Sequence, residues 1–422
     1  MWGVMSYARS RHADKEALQG AGDGSWAEAL LGFGYPSPII ELVEDVRNAL
    51  DLNGLVSLLL VGSGGRGELR YTTTVAGVQL LSDLEFFAFV RPGFPATNCL
   101  WRVHETVAQW RKANPTFHID ISFLDARKRR FPNNLDLVEA RSESILVAGK
   151  DYRERLPREP NAKQVIAGTF AQLWELLHRI DANQPSASLG EFETRYALAR
   201  TSLHLLTLTL VLEGVNLPKI KDKVRYFVEN YRDLRASKYF GAEYVVYFQA
   251  GLAEVTTGEV ERSPVDVYRA LLDGFDRVVA YSCETLGLGL VASYEPLPKG
   301  LLQRTPFRRM LYEAWVAAER TRQWGAVRAV AWALRPWRQI RNCEYLLALN
   351  RLVLAEAAGD IQSADRWRAR VHTLVHYVWP APVEINLHGE DYKQIYYRYL
   401  ISAYPWYARR YRDGDDNERN GA

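Results

Sequence analysis

Leu55-Val56-Ser57-Leu58-Leu59-Leu60-Val61 runs directly into Gly62-Ser63-Gly64-Gly65-Arg66-Gly67-Glu68, and the reading of this junction decides the fold. Seven nearly unbroken apolar residues describe a strand buried on both faces, and the glycines after it form a turn whose backbone N–H groups can approach phosphate oxygens. Two further stretches follow, Ser82-Asp83-Leu84-Glu85-Phe86-Phe87 and Phe117-His118-Ile119-Asp120-Ile121-Ser122-Phe123. Successive strand side chains alternate faces, so Asp83 and Glu85 point one way and Leu84 points to the buried side. The same alternation sends Phe117, Ile119, Ile121 and Phe123 into a core and leaves His118, Asp120 and Ser122 on the other face. Three carboxylates on one surface repel each other, and a divalent cation that prefers hard oxygen ligands offsets the repulsion. Mg²⁺ is the expected ion, and a two-metal phosphoryl-transfer site is the chemistry that this set suits.

The order of these motifs resembles the nucleotidyltransferase superfamily typified by DNA polymerase beta and the kanamycin nucleotidyltransferases. That pattern is an apolar strand, Gly-Ser, a spacer, Asp-x-Asp or Asp-x-Glu in a strand, and a third carboxylate on the next strand. The spelling Gly-Ser-x-x-Arg-Gly-Glu is similar to small prokaryotic members, including the minimal nucleotidyltransferases paired with HEPN toxins. Val147-Ala148-Gly149-Lys150-Asp151 resembles the hydrophobic-Gly-x-Asp segment that closes the domain in several of them. The resemblance covers about residues 38 to 151. It implies an α+β nucleotidyltransferase fold, a small mixed sheet flanked by helices. It gives Gly62 and Ser63 the β- and γ-phosphates of a nucleoside triphosphate, Asp83 and Glu85 both Mg²⁺ ions (or Mn²⁺), and Asp120 the second metal and the activation of the attacking hydroxyl. The implied reaction moves a nucleoside monophosphate from an NTP, ATP foremost, to an acceptor hydroxyl. Small-molecule acceptors are favoured over protein or nucleic acid.

The chain departs from the family in one place. Small members keep about ten residues between Gly-Ser and the first Asp, and here the piece from Gly64 to Ser82 is markedly longer. Leu69 to Leu81 is β-branched around Gly77 and reads as an inserted hairpin or extended excursion. A nucleotide lid and a neutral surface insertion both fit it. Arg66 and Glu68 are expected to pair with each other or cap a helix. His118 reads as a packing or supporting residue.

Upstream, Ser37-Pro38 starts a helix, and Ile39, Val43, Val46 and Leu50 keep helical spacing up to a stop at Asn53-Gly54. Leu100 to Lys112 supplies the helix between the carboxylate strands. Arg127-Lys128-Arg129-Arg130 reads as a solvated loop. Beyond Asp151 the apolar spacing is helical over 165–180, 190–213, 221–234, 265–286, 306–322 and 339–358. The expected organisation is an N-terminal extension (1–34), a nucleotidyltransferase domain (35–155), a helical domain (160–295), a second helical unit rich in aromatics and arginine (300–412) and a polar tail (413–422). The Pro-rich stretch 294–299 is the expected linker. By the same resemblance, a helical domain supplies a nucleotide contact, and Lys223 within Lys219-Ile220-Lys221-Asp222-Lys223-Val224-Arg225 is the candidate.

Composition narrows the remaining choices. At 422 residues, 48% of them hydrophobic, the chain can bury two or three cores, and a net charge of +3 does not describe a protein that coats nucleic acid. Cys99, Cys283 and Cys343 are far apart and odd in number, which reads as reduced thiols in the cytoplasm. The most apolar run, 203–217, carries His204, Glu213 and Asn216 and falls short of a membrane span. Tyr392 to Tyr399 and Tyr404 to Arg412 interleave aromatics with arginines. Buried aromatics with snorkelling arginines is the favoured reading, with a surface for a partner protein as the alternative. His372 and His376 lie one turn apart, but Thr373 stands where a zinc hydrolase has Glu. The competing functional class is a nucleotidyltransferase fold kept without turnover, as a nucleotide sensor or an antitoxin-like scaffold.

Overall fold

The computed structural model describes residues 25–50, 54–74, 77–113, 119–258, 262–289, 296–303, 310–311, 331, 335, 338–378 and 391–396. The chain divides into two compact units, Met1–Asn161 with Asn216–Asp222, and Ala162–Val215 with Lys223–Ala422. It is a mixed α+β protein, and all its strands among the described residues lie in the first unit. No helix among the described residues is long and apolar enough to cross a membrane.

Helix α1 (Ser25–Gly32) is followed by α2 (Ser37–Leu50), β1 (Leu55–Val61), the one-turn helix α3 (Gly62–Arg66), the strands β2 (Tyr71–Thr74) and β3 (Gly77–Leu80), and β4 (Leu84–Val90). Then come α4 (Ala96–Thr106), α5 (Ala108–Ala113), β5 (Ile119–Asp125), α6 (Leu135–Ser142) and β6 (Ile145–Gly149). Four strands form one sheet in the order β5-β4-β1-β6, with β4 and β6 antiparallel to β1 and β5 parallel to β4. A parallel neighbour needs a crossover, and α4 with α5 provides it. The expected single helix over 100–112 starts earlier, at Ala96, and is interrupted at Val107, which is fully buried.

Both faces of the sheet are covered, which is why β1 and β4 are apolar runs with little alternation. On one face Leu58, Leu60, Leu84, Phe86 and Ala88 pack with Trp26 and Leu30 of α1, with Ile39, Leu42, Val43, Val46 and Leu50 of α2, and with Cys99 and Val103 of α4. Part of the segment expected as an extension is therefore core. Ile119, Ile121 and Phe123 pack on this face as their alternation predicts, whereas Phe117 and His118 lie outside the described residues. On the opposite face Leu59, Val61, Phe87 and Phe89 meet Phe131, Leu137, Ala140 and Leu156. Asn134 caps α6, its Oδ1 accepting from the Leu137 N–H at 3.1 Å. Strand β6 ends at Gly149, whose φ of +78° and close approach to the Val56 carbonyl admit no side chain.

The second unit is helical: α7 (Ala162–Arg179), α8 (Pro185–Leu189), α9 (Phe192–Leu212), most of α10 (Ile220–Asn230), α11 (Glu243–Thr257), α12 (Pro264–Thr285), α13 (Arg338–Ala357) and α14 (Ile361–Val378). Helices on both sides of the proline-rich stretch share one core. Tyr268 of α12 donates to Asn350 Oδ1 of α13 at 2.7 Å, and Asn350 Nδ2 reaches the Leu173 carbonyl of α7 at 3.3 Å. Leu297 is buried, and its N–H donates to Glu344 at 2.6 Å, so the described part of the proline-rich stretch is tied into that core. Tyr392 and Tyr396 are buried, the latter against Trp174 with ring centroids 4.9 Å apart. His372 Nδ1 is 3.3 Å from the Tyr392 hydroxyl, a structural contact. Residues 397–422 of the aromatic and arginine-rich segment, and 306–309 and 312–322 of an expected helix, lie outside the described residues. The three cysteines are free and buried, and burial pushes the Cys343 thiol up to about 12.

A methyl group at position 149 would stand 2.2 Å from the Val56 carbonyl oxygen. Gly149→Ala is therefore expected to pry β6 off β1 and to cost about 1–3 kcal/mol, measured as a lowered urea midpoint with unchanged m-value.

Candidate functional site

The site lies where β1 ends and β4 and β5 begin. Strand register sets Val61 opposite Glu85, and Glu85 beside Asp120 on the parallel neighbour. Paired residues of adjacent strands share a face, so these two carboxylates stand on one side of the sheet, the side of Phe87 and Phe89. Leu84 is fully buried on the other side, as its alternation predicts. Asp83 falls just before β4 and is half-buried, as are Glu85 and Asp120. The structure thus brings Glu85 and Asp120 together on adjacent strands and leaves Asp83 at the strand's threshold. Carboxylates are the donor type that a hard divalent cation takes. Among the described residues, however, no group of three or more His, Cys, Asp or Glu is gathered closely enough to hold a metal ion.

The expected glycine turn is a single helical turn, α3, closed by Gly67 in the left-handed conformation. Three of its glycines are dictated by space. Gly62 has φ +61°, and a Cβ there would lie 1.7 Å from Glu85 Oε2, so the missing side chain is what lets the Glu85 carboxylate lie over the Gly-Ser peptide. At Gly65 a Cβ would meet the backbone oxygens of Leu60 and Glu143 at 2.5 and 3.0 Å. At Gly67 it would press into the Phe33 ring.

Tyr35 supports this segment from behind. Its hydroxyl accepts from the Leu69 N–H at 3.0 Å and has the Gly64 and Ser63 carbonyls at 3.3 and 3.4 Å as acceptors for its own proton. Burial pushes the Tyr35 phenol up to about 12, further from ionisation than an ordinary tyrosine. Arg66 is largely buried; Nε reaches Glu68 at 2.9 Å and Nη1 reaches Glu139 of α6 at 2.7 Å. Desolvation alone would lower the Arg66 pKa, but Glu139 and Glu68, with Glu85 behind them, outweigh it and hold the group above its ordinary value. Glu68 also accepts from the Ile220 N–H at 2.8 Å, capping the first turn of α10. Both readings of Arg66 and Glu68, pairing and capping, therefore hold.

Residues 216–222 return to the first unit at this point, and Lys219 Nζ lies 3.9 Å from Glu143. Lys219 thus stands beside Glu143, whose backbone carbonyl lies against Gly65. Lys223 belongs to the second unit, where it is buried and engaged. The run 127–130 is exposed, with Arg127 clasping Asp125, as a solvated loop should be.

The insertion before the carboxylate strand is a hairpin, β2 paired antiparallel with β3 from Tyr71↔Leu80 to Thr74↔Gly77. Its base is closed by Leu81 N–H to the Arg70 carbonyl at 2.9 Å and Arg70 N–H to Ser82 Oγ at 3.1 Å, next to Asp83. The Tyr71 hydroxyl donates to the Gly34 carbonyl at 2.9 Å. Tyr35 and Glu139 escaped the sequence reading, and neither carried a signal; Lys219 lies in the basic run named there, in which Lys223 was the residue singled out.

No protein-family model, curated protein or solved structure matches the chain.

Gly62→Ala meets the movable end of one side chain, whereas Gly65→Ala meets backbone. The first is expected to cost about 1–2 kcal/mol for the left-handed conformation and to displace the Glu85 carboxylate; the second should destabilise more, with denaturation midpoints giving the order. Tyr35→Phe strands the buried Leu69 N–H and should cost about 1–3 kcal/mol, visible in thermal melts. It should also speed hydrogen exchange at Leu69.

Proposed function

We propose that the chain is a nucleotidyltransferase that moves a nucleoside monophosphate from an NTP to an acceptor hydroxyl. The observation that carries this reading is the register of β4, which sets Glu85 directly over Gly62 on one side and beside Asp120 on the other. The sheet supports it further: a strand ending in Gly-Ser, an antiparallel strand bearing Glu85, and a parallel strand bearing Asp120 follow the order that the motif resemblance implies.

In this reading Gly62 and Ser63 take the β- and γ-phosphates, and Asp83, Glu85 and Asp120 would hold two Mg²⁺ ions, with Mn²⁺ able to replace them. Bound there, the ions would supply charge neutralisation along the triphosphate and a more acidic acceptor hydroxyl. The acceptor oxygen forms a bond to the α-phosphorus as the bond from that phosphorus to the bridging oxygen breaks. Asp120 takes the hydroxyl proton, and pyrophosphate leaves along Gly62-Ser63. Arg66, tied to Glu68 and Glu139, helps to fix the glycine segment. ATP is the proposed donor, a small molecule the proposed acceptor, and the cytoplasm, where the three buried thiols stay reduced, the proposed location. One observation favours the rival reading of a nucleotide sensor or scaffold: Asp83 stands outside the strand that aligns the other two carboxylates.

The test is Mg²⁺-dependent label transfer from each of four α-³²P NTPs into an extract of the source cells. Asp120→Ala should abolish transfer while sparing NTP binding more than Asp83→Ala does. Label on a small molecule, nucleic acid or protein identifies the acceptor class. Near wild-type transfer in both variants overturns the site assignment, and nucleotide binding without transfer establishes the sensor reading.

A further inference from the structure

The second unit holds a cavity of about 320 Å³ between α9, α11 and the start of α12, a size typical of small-molecule sites. The direction of its two long walls decides what meets inside it. Leu205 of α9 and Tyr244 of α11 both crowd Gly274 of α12, where a Cβ would stand 2.5 and 3.2 Å from them. Further along, a Cβ at Gly251 of α11 would stand 2.7 Å from Ser202 Oγ and 3.7 Å from the Ala199 carbonyl oxygen, both of α9. Ascending α11 from Tyr244 to Gly251 therefore descends α9 from Leu205 to Ala199, and the helices are antiparallel. One more turn along the same faces brings Glu254 level with Arg195.

Both residues line the cavity, so one end of it carries a guanidinium and a carboxylate together. Arg195 Nε is buried and has no hydrogen-bond partner among the described residues, which is costly unless something else satisfies it. Glu254 is buried and engaged, but its Oε1 accepts no hydrogen bond among those residues. Arg262, the third charged residue of the lining, is exposed, so water screens it. Ser202 and Tyr247 are committed within the protein, donating to the Ala199 carbonyl at 2.7 Å and the Val267 carbonyl at 3.4 Å. Leu198, Ala250, Pro264 and Val267 make the remaining wall apolar.

A ligand head that suits this end must offer an acceptor and a donor at once. A lone carboxylate meets Arg195 but is repelled by Glu254, and a lone ammonium suffers the reverse. An α-amino acid carries both groups on one carbon, and an apolar side chain on that carbon matches the rest of the wall. We propose that this cavity binds a free apolar α-amino acid, its carboxylate on Arg195, its ammonium on Glu254 and its side chain between α9 and α11. The site lies wholly within the second unit and stands independently of the nucleotidyltransferase reading.

Isothermal titration of the full chain with alanine, leucine and phenylalanine tests this, alongside 3-phenylpropanoate and 2-phenylethylamine, which each keep one of the two charges. Leucine and phenylalanine should bind one-to-one, and affinity should rise from alanine to leucine by about fourfold per buried methylene. Each single-charge analogue should bind about tenfold more weakly than phenylalanine, or worse. The variants should separate the two contacts. Arg195→Gln should weaken phenylalanine about tenfold and leave 2-phenylethylamine unchanged, whereas Glu254→Gln should weaken phenylalanine by a similar factor without weakening 3-phenylpropanoate. Far-UV spectra show whether each variant keeps the fold; if one does not, the analogue series on the unaltered chain decides. No saturable binding of leucine or phenylalanine overturns the proposal. So does either single-charge analogue binding as tightly as phenylalanine, or unchanged phenylalanine affinity in a folded Arg195→Gln or Glu254→Gln variant.

Discussion

The absence of a side chain at position 62 is the constraint on which the sheet-bearing unit of the molecule turns. It allows the carboxylate of Glu85 to lie against the Gly-Ser peptide, a contact that any Cβ would occupy. The surrounding structure is arranged to keep the backbone in that place. Gly65 sits against the Leu60 and Glu143 carbonyls, Gly67 turns the chain beneath Phe33, and the Tyr35 hydroxyl satisfies polar groups on both sides of the bend. A helix of five residues that includes three glycines has no intrinsic stability. Tertiary contacts hold it, so its geometry is as firm as the sheet and the ring of Tyr35.

Charge contributes in the same direction. A buried guanidinium is tolerable only when its donors are satisfied, and Arg66 is satisfied by carboxylates from two elements far apart in sequence. Glu68 serves two partners, one local and one 152 residues away, and so ties the strand-to-helix junction to the returning segment 216–222. Loss of Arg66 would leave the Glu68 and Glu139 carboxylates without their shared cation. Around the glycine segment, Glu68, Glu139 and Glu143 face arginine, lysine or backbone donors, and Glu85 and Asp120 share the sheet face.

Much of this was legible in the residues. The apolar run 55–61, the Ser-Pro start at 37–38 with its helical stripe, and the alternation around Leu84 and Ile119–Phe123 are local patterns, and each element formed where its pattern lay. The hairpin was legible because β-branched residues flank a glycine. What escaped was non-local. Nothing in Gly34-Tyr35-Pro36 announces that one hydroxyl will organise a bend near residue 64, and Glu139 is unremarkable among the acids of a short helix. Helix α11 was missed because its small residues, Ala250, Gly251 and Ala253, dilute the apolar spacing that marks a helix. Those same residues open the cavity beside it.

The hairpin between β2 and β3 is pinned at its root, with Arg70 bonded to Leu81 and Ser82 before the chain enters Asp83. Seen from the sheet, the path from Glu68 to Asp83 is only as long as that root, whatever lies beyond it. Chain length in the excursion is thereby insulated from the spacing between Gly-Ser and the carboxylates. Tyr71, Val78 and Leu80 pack against the core of the first unit, so the excursion is anchored along both of its strands, and the distance that a motif search measures along the sequence is not the distance that the fold preserves.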